Sequence, residues 1–240
     1  MISFRYELAS LPELEAQAHA RLPLGLSASA PKRSFHRDLY LDTHDDSLRK
    51  RGIQCRLRVG EKDGAVLSVR GGRSAERKDS YIESSLRGVE VPAALEEETP
   101  ATAWLRSIID PALLIARTEL EVNRLTRLAD PDWLRRPRIL LHYDQITVRN
   151  GDLSRSLYQL SGRTRAGNEE RLERLANALE EQLDVSRLAS NPRERAELLL
   201  KWARRAHLRS SSARSRGFDA SGRTSSASSK AVARRSSLTS

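Results

Sequence analysis

Arg56 and Arg58 sit either side of Leu57 in a segment, residues 53–59, whose apolar and polar residues alternate. Ile53, Cys55, Leu57 and Val59 share one parity; Gln54, Arg56 and Arg58 share the other. A β-strand sends side chains of one parity to one face, so the two guanidinium groups point the same way. Ser68 and Arg70 share a face in residues 65–70. In residues 115–128, Arg124 keeps company with Thr118, Leu120, Val122 and Thr126, while Arg117, Glu119, Glu121, Asn123 and Arg127 take the opposite face. Guanidinium offers paired, planar N–H donors that match phosphate. On an open sheet such arginines face water. Inside a closed barrel they repel one another unless an anion fills the space. In the closed case the chemistry at issue is anion recognition; in the open case the arginines are a solvated face.

Other chemistries find less support. Cys55 is the only cysteine, which excludes an intrachain disulfide and any multi-cysteine zinc site. His19, His36, His44, His142 and His207 show no metal-ligand spacing. Gly71-Gly72 is not followed by the lysine and Ser/Thr of a P-loop.

The elements that must position the arginines follow from periodicity. Strands are expected at residues 2–8, 34–42, 53–59, 65–70, 81–86, 115–128, 139–149 and 156–162. Asn150-Gly151 between the last two is a hairpin turn signal. Ser10-Leu11-Pro12-Glu13 resembles a capping box and predicts a helix to about residue 21. Further helices are expected at 99–109, 168–183 (a stripe of Leu172, Leu175, Ala176, Leu179 and Leu183) and 192–206. Thr43-His44-Asp45-Asp46 reads as a break, and Asp42 either braces that turn or touches ligand. Strands at hairpin spacing predict an α+β fold with an eight-stranded antiparallel barrel and flanking helices.

Leu39-Tyr40-Leu41-Asp42-Thr43, then Leu48-Arg49-Lys50-Arg51-Gly52-Ile53, then Arg56-Leu57-Arg58 and Ser68-Val69-Arg70 resemble the ordered motifs of the CYTH, or triphosphate tunnel, superfamily. The resemblance is specific in residues 39–70 and looser over 2–200. It implies an eight-stranded antiparallel tunnel binding a polyphosphate. Members of that superfamily include inorganic and thiamine triphosphatases and a class of adenylate cyclases, which use basic residues for phosphates and glutamates for Mg²⁺ or Mn²⁺. Carried over by position, it implies phosphate-binding roles for Arg56, Arg58, Arg70, Arg124 and Arg5, with Arg117 a candidate on the other parity. It implies a catalytic or metal-binding role for Asp144 and a metal-binding role for Glu83. The opening pair of glutamates falls on Met1 and Ser3, and the late carboxylate strand on Gln159, Ser161, Arg163 and Arg165. The basic half of the family pattern is present and most of the acidic half is missing. Mg²⁺ needs oxygen ligands, one or two of them carboxylates, so weak or absent hydrolysis is expected. An active metal-dependent triphosphatase is the alternative.

The chain has 240 residues, a net charge of +10 and 38% hydrophobic residues, enough for one substantial core. Residues 209–240 hold seven Lys or Arg and one acid, so +6 of the charge falls there. Residues 1–206 are expected to form the tunnel domain. Residues 207–240, rich in Ser and Arg, are expected to be a disordered tail that contacts RNA or polyphosphate weakly or not at all; a protein that associates with RNA or polyphosphate mainly through this tail is a further alternative. No secretory signal or membrane span is legible, so a cytoplasmic location is the expectation.

Overall fold

The period-two alternation is realised as strands in the computed structural model, which describes residues 3–60, 64–71, 81–129, 139–150, 153–164, 169–189, 193–195, 197–199 and 201. The expected tail, residues 207–240, lies outside the described residues. Residues Met1–Leu200 make one compact unit; of the second unit, 201–240, only Lys201 is described.

Eight strands form one antiparallel sheet. They are β1 (Ser3–Leu8), β2 (Lys32–Asp42), β3 (Gln54–Gly60), β4 (Ala65–Arg70), β5 (Tyr81–Leu86), β6 (Ile115–Ala129), β7 (Ile139–Asn150) and β8 (Leu153–Arg163). Their order is β1-β8-β7-β6-β2-β3-β4-β5. Hairpins join β3–β4, β4–β5, β6–β7 and β7–β8, while β2 pairs with β6 across a long sequence separation. No ladder joins β1 to β5 among the described residues, so the expected barrel is not closed by hydrogen bonds. Residues from both edge strands nevertheless line one cavity, Arg5 from β1 and Tyr81 and Glu83 from β5. The sheet therefore curls until its two edges face each other.

Helices cover the convex side. Helix α1 (Leu11–His19) starts where expected, with Ser10 Oγ accepting from Glu13 N at 3.3 Å. Together with α5 (Glu169–Leu183) it buries Leu14, Ala18, Leu172, Leu175 and Leu179 against Phe4, Tyr6, Leu141 and Leu160. Gly162 belongs to this layer: a Cβ there would lie 2.3 Å from the Phe4 ring. The outer face of β2, β3 and β4 supplies Leu39, Leu41, Cys55, Leu57, Leu67 and Val69. These residues pack with α3 (Val91–Glu96) and α4 (Pro100–Arg106) through Ala94, Leu95, Ala101 and Leu105. In β3 and β4 the apolar positions thus face outward toward helices, and the polar parity faces inward. No helix among the described residues is long and apolar enough to cross a membrane.

Candidate functional site

The positioning of Arg56 and Arg58 begins one turn earlier. Asp42, 1% exposed, accepts the backbone N–H groups of Thr43 and Leu48 at Oδ1 (2.8 and 2.9 Å) and of Arg49 at Oδ2 (3.1 Å). It braces the turn and fills the start of α2 (Ser47–Lys50), a helix too short for periodicity to reveal. Of its two expected roles, the brace is the one the structure shows. Gly52 then ends α2 with φ +70°. Its N–H donates to Arg49 O at 2.9 Å and that of Ile53 to Leu48 O at 2.9 Å, the paired bonds of a glycine C-terminal cap. Leu48, fully buried, anchors the turn. The chain leaves this cap directly into β3, so the motif Leu48-to-Gly52 sets the phase in which Arg56 and Arg58 point inward.

Register carries that face around the sheet. Arg58 lies opposite Asp38, and Arg56 opposite both Tyr40 and Ser68. Asp38 lies opposite Leu120, Arg124 opposite Asp144, Asp144 opposite Gln159, and Arg5 opposite Ser161. Partners across an antiparallel ladder share a face. The result is a cavity of about 480 Å³, within the usual range for small-ligand sites, whose walls carry Arg5, Arg56, Arg58, Arg124 and Arg163 from four strands.

The interior has two ends of different character. Tyr40, Leu120, Val122, Ile146, Val148 and Leu157 form an apolar cluster on the inner face, with Leu199 packed against it. The Arg193 guanidinium lies 5.2 Å from the Tyr40 ring centroid. The rest of the cavity is ionic. Arg58 donates to both oxygens of Asp38 (2.7 and 2.9 Å), and Arg124 to both oxygens of Asp144 (2.6 and 2.7 Å). Arg56 Nη1 lies 3.8 Å from Asp38, and Arg56 Nη2 donates to Ser68 Oγ at 3.3 Å. Glu83 Oε2 accepts from Ser68 Oγ at 3.1 Å and from the Tyr81 hydroxyl. Five arginines against Asp38, Glu83 and Asp144 leave the lining cationic.

That excess shows in the titrating groups. Burial pushes His36 down to about 4, helped by Arg58 and opposed by Asp38. Burial, then Arg124 and Arg163, push His142 down to about 3. Both rings are neutral at pH 7. Burial and then Arg124 and Arg58 make the Arg163 cation less favourable than usual. Burial alone would raise the Asp38 carboxyl, but Arg58 and Arg56 outweigh it and hold it below the usual range. The Tyr81 hydroxyl does the same for Glu83.

The donor set does not fit Mg²⁺ or Mn²⁺. Both oxygens of Asp38 and of Asp144 are occupied by guanidinium N–H groups, and Glu83 is engaged by Tyr81 and Ser68. No cluster of three or more His, Cys, Asp or Glu side chains suited to a metal occurs among the described residues. A hard cation would have to displace arginines from carboxylates within a cationic wall.

Of the residues singled out in the sequence, Arg5, Arg56, Arg58, Arg124, Glu83 and Asp144 come together in this cavity. Arg117 does not. A register shift between Tyr40 and Leu41 leaves it out of the ladder and turned outward, 3.5 Å from Asp46. Arg70 has the inward parity but lies at the exposed end of β4 and is not among the lining residues. Glu119 and Glu121 face outward and pair with Arg37 and Arg149 at 3.3 and 3.0 Å. They cannot replace the missing acids. His36, Asp38 and Tyr40 also line the cavity; their shared parity within 34–42 was the available signal.

No protein-family model and no curated protein matches this chain. Solved structures do. A candidate adenylate cyclase from Bacillus halodurans is 17% identical, with a TM-score of 0.54 over 81% of this chain and 95% of its own. A Hippeastrum adenylyl cyclase-like protein with a dominant triphosphatase activity is 14% identical, with a TM-score of 0.54 over 79% and 91%. The chain has the triphosphate tunnel fold that its sequence motifs resemble.

Proposed function

We propose that the cavity binds inorganic triphosphate or a related polyphosphorylated anion through its arginines, without a metal and with little or no hydrolysis. The observation that carries this reading is the convergence of five arginines on one cavity whose carboxylates are all engaged internally. Several guanidinium groups around one space favour a multiply charged, oxygen-rich ligand. Catalysis assisted by a metal needs a bound cation and a water positioned by it, and the carboxylates that would hold them are committed elsewhere.

Binding of triphosphate in a chelator, followed by calorimetry, tests the reading. Arg56→Ala is expected to weaken it about tenfold, since one charge-assisted hydrogen bond is worth roughly 1.5–3 kcal/mol and about 1.4 kcal/mol is a factor of ten. Unchanged binding in Arg56→Ala would remove the cavity from consideration. The second reading, an active triphosphatase using Mg²⁺ or Mn²⁺, draws on the Hippeastrum neighbour of similar fold. Rapid phosphate release from triphosphate on adding Mg²⁺, abolished by Asp144→Ala, would establish it instead. Contact of residues 207–240 with RNA or polyphosphate, which their charge suggests, is a separate proposal that their removal tests.

A further inference from the structure

Among the described residues, three buried polar atoms on the walls of the cavity have no hydrogen-bond partner: Nε2 of His36, Nε2 of His142 and Nε of Arg56. His36 and His142 are 6% and 7% exposed. They sit on β2 and β7, with β6 between them. Buried polar groups without partners are rare in a folded protein, and each calls for a missing one.

The surroundings say what that partner is. His36 faces Asp38, whose Oδ2 is 3.9 Å away and already bonded to Arg58, and the charges of Arg56, Arg58 and Arg124. His142 faces Thr126, Arg124, Arg58, Arg163 and His36. Its Nδ1 lies 3.1 Å from Thr126 Oγ1. With the Thr126 hydroxyl donating to Nδ1, the ring proton resides on Nε2. Nε2 of His142 is then a donor in a wall of donors. The neighbouring guanidinium groups cannot supply the acceptor, whereas a ligand rich in acceptors does, and the same holds for the N–H of Arg56.

We propose that His36 and His142 are direct ligand-binding residues, giving uncharged Nε2–H hydrogen bonds to phosphoryl oxygens held between them by the arginines. This rests on the polyphosphate reading of the cavity. It divides the work: arginines supply the charge-dependent part of binding, which salt screens, and the histidines supply a short-range part that salt leaves alone.

Calorimetry with inorganic triphosphate at pH 7.5 in a chelator, across a salt series, tests the division. His36→Leu and His142→Leu are each expected to bind about tenfold more weakly with the salt slope of the wild type. His36→Gln and His142→Gln, which keep an N–H donor, are expected to stay within about threefold of the wild type. Arg56→Ala is expected to lose affinity and flatten the salt slope. A measurement on the unmodified protein guards against variants that misfold: in nitrogen-edited NMR spectra, two histidine Nε2–H signals should move downfield when triphosphate is added. If Arg56→Ala weakens binding while the leucine variants bind as the wild type and no histidine signal moves, the histidine assignment is overturned and the arginine reading stands. If no substitution in the cavity alters triphosphate binding, or none is bound, both fall.

Discussion

Arg124 and Asp144 show the balance on which single residues in this cavity rest. Arg58 and Arg124 each already hold a carboxylate, so a phosphate approaching either competes with an internal anion. Asp144→Asn keeps the shape, removes the charge and frees Arg124. Triphosphate binding is expected to tighten severalfold, while the melting temperature falls because a buried ion pair has lost one partner. Weaker binding in this variant would mean that Asp144 positions Arg124 for the ligand. His36 gives a second prediction at this scale. Its folded pKa, about 4, lies below the ordinary 6.5, so below pH 6.5 the unfolded chain takes up protons that the folded one refuses. The stability contributed by neutral His36 is complete above pH 6.5 and lost as pH falls toward 4. The melting temperature should decline through that window, and His36→Gln should reduce the decline. An equally steep decline in the variant would assign the effect to other groups. Singly, these residues were unevenly legible: Arg56 and Arg58 announced themselves by parity with apolar neighbours. Asp38, which holds Arg58, and the two histidines lacked any motif of their own, because their meaning depends on what lies across the ladder.

At the scale of elements, alternation was the readable quantity and register was not. The segments 65–70 and 81–86 match β4 and β5, and 53–59 differs from β3 by one residue at each end. Helices α2 and α3, of 4 and 6 residues, are too short to display a period. Arg117 was a candidate on the parity opposite to Arg124, and that parity faces outward: Glu119 and Glu121 share it, and Arg117, at the register shift between Tyr40 and Leu41, lies 3.5 Å from Asp46. The inside-out arrangement of β3 also separates two kinds of substitution. Leu57, fully buried against the outer helices, should cost about 2–5 kcal/mol of stability as Leu57→Ala and leave triphosphate affinity nearly intact in the folded fraction. Arg56→Ala, its immediate neighbour, should do the reverse. Chemical denaturation and calorimetry on the two variants check this, and equal losses of stability would contradict the assignment of faces.

For the molecule as a whole, sequence motifs over 39–70 pointed to a tunnel, and the eight-stranded sheet with helices outside bears that out. The seam between β1 and β5, which no ladder crosses among the described residues, was not legible, since nothing in either strand records whether its far edge finds a partner. It has a mechanical consequence. A hoop fastened all the way round by hydrogen bonds has a set circumference, whereas a split hoop can widen or narrow at the price of bending alone. Here Arg5 stands on one lip of the split and Arg56 and Arg58 on β3, two strands in from the other, so an anion held by both would act as a clasp. Amide hydrogens of β1 and β5 should exchange faster than those of β6 and β7, which are paired on both sides. Triphosphate should slow exchange at the lips more than elsewhere. Equal protection of all eight strands without ligand would mean that the hoop is already fastened. A split hoop leaves the bore to be gauged by whatever occupies it, so on the polyphosphate reading one scaffold would fit anions of more than one girth.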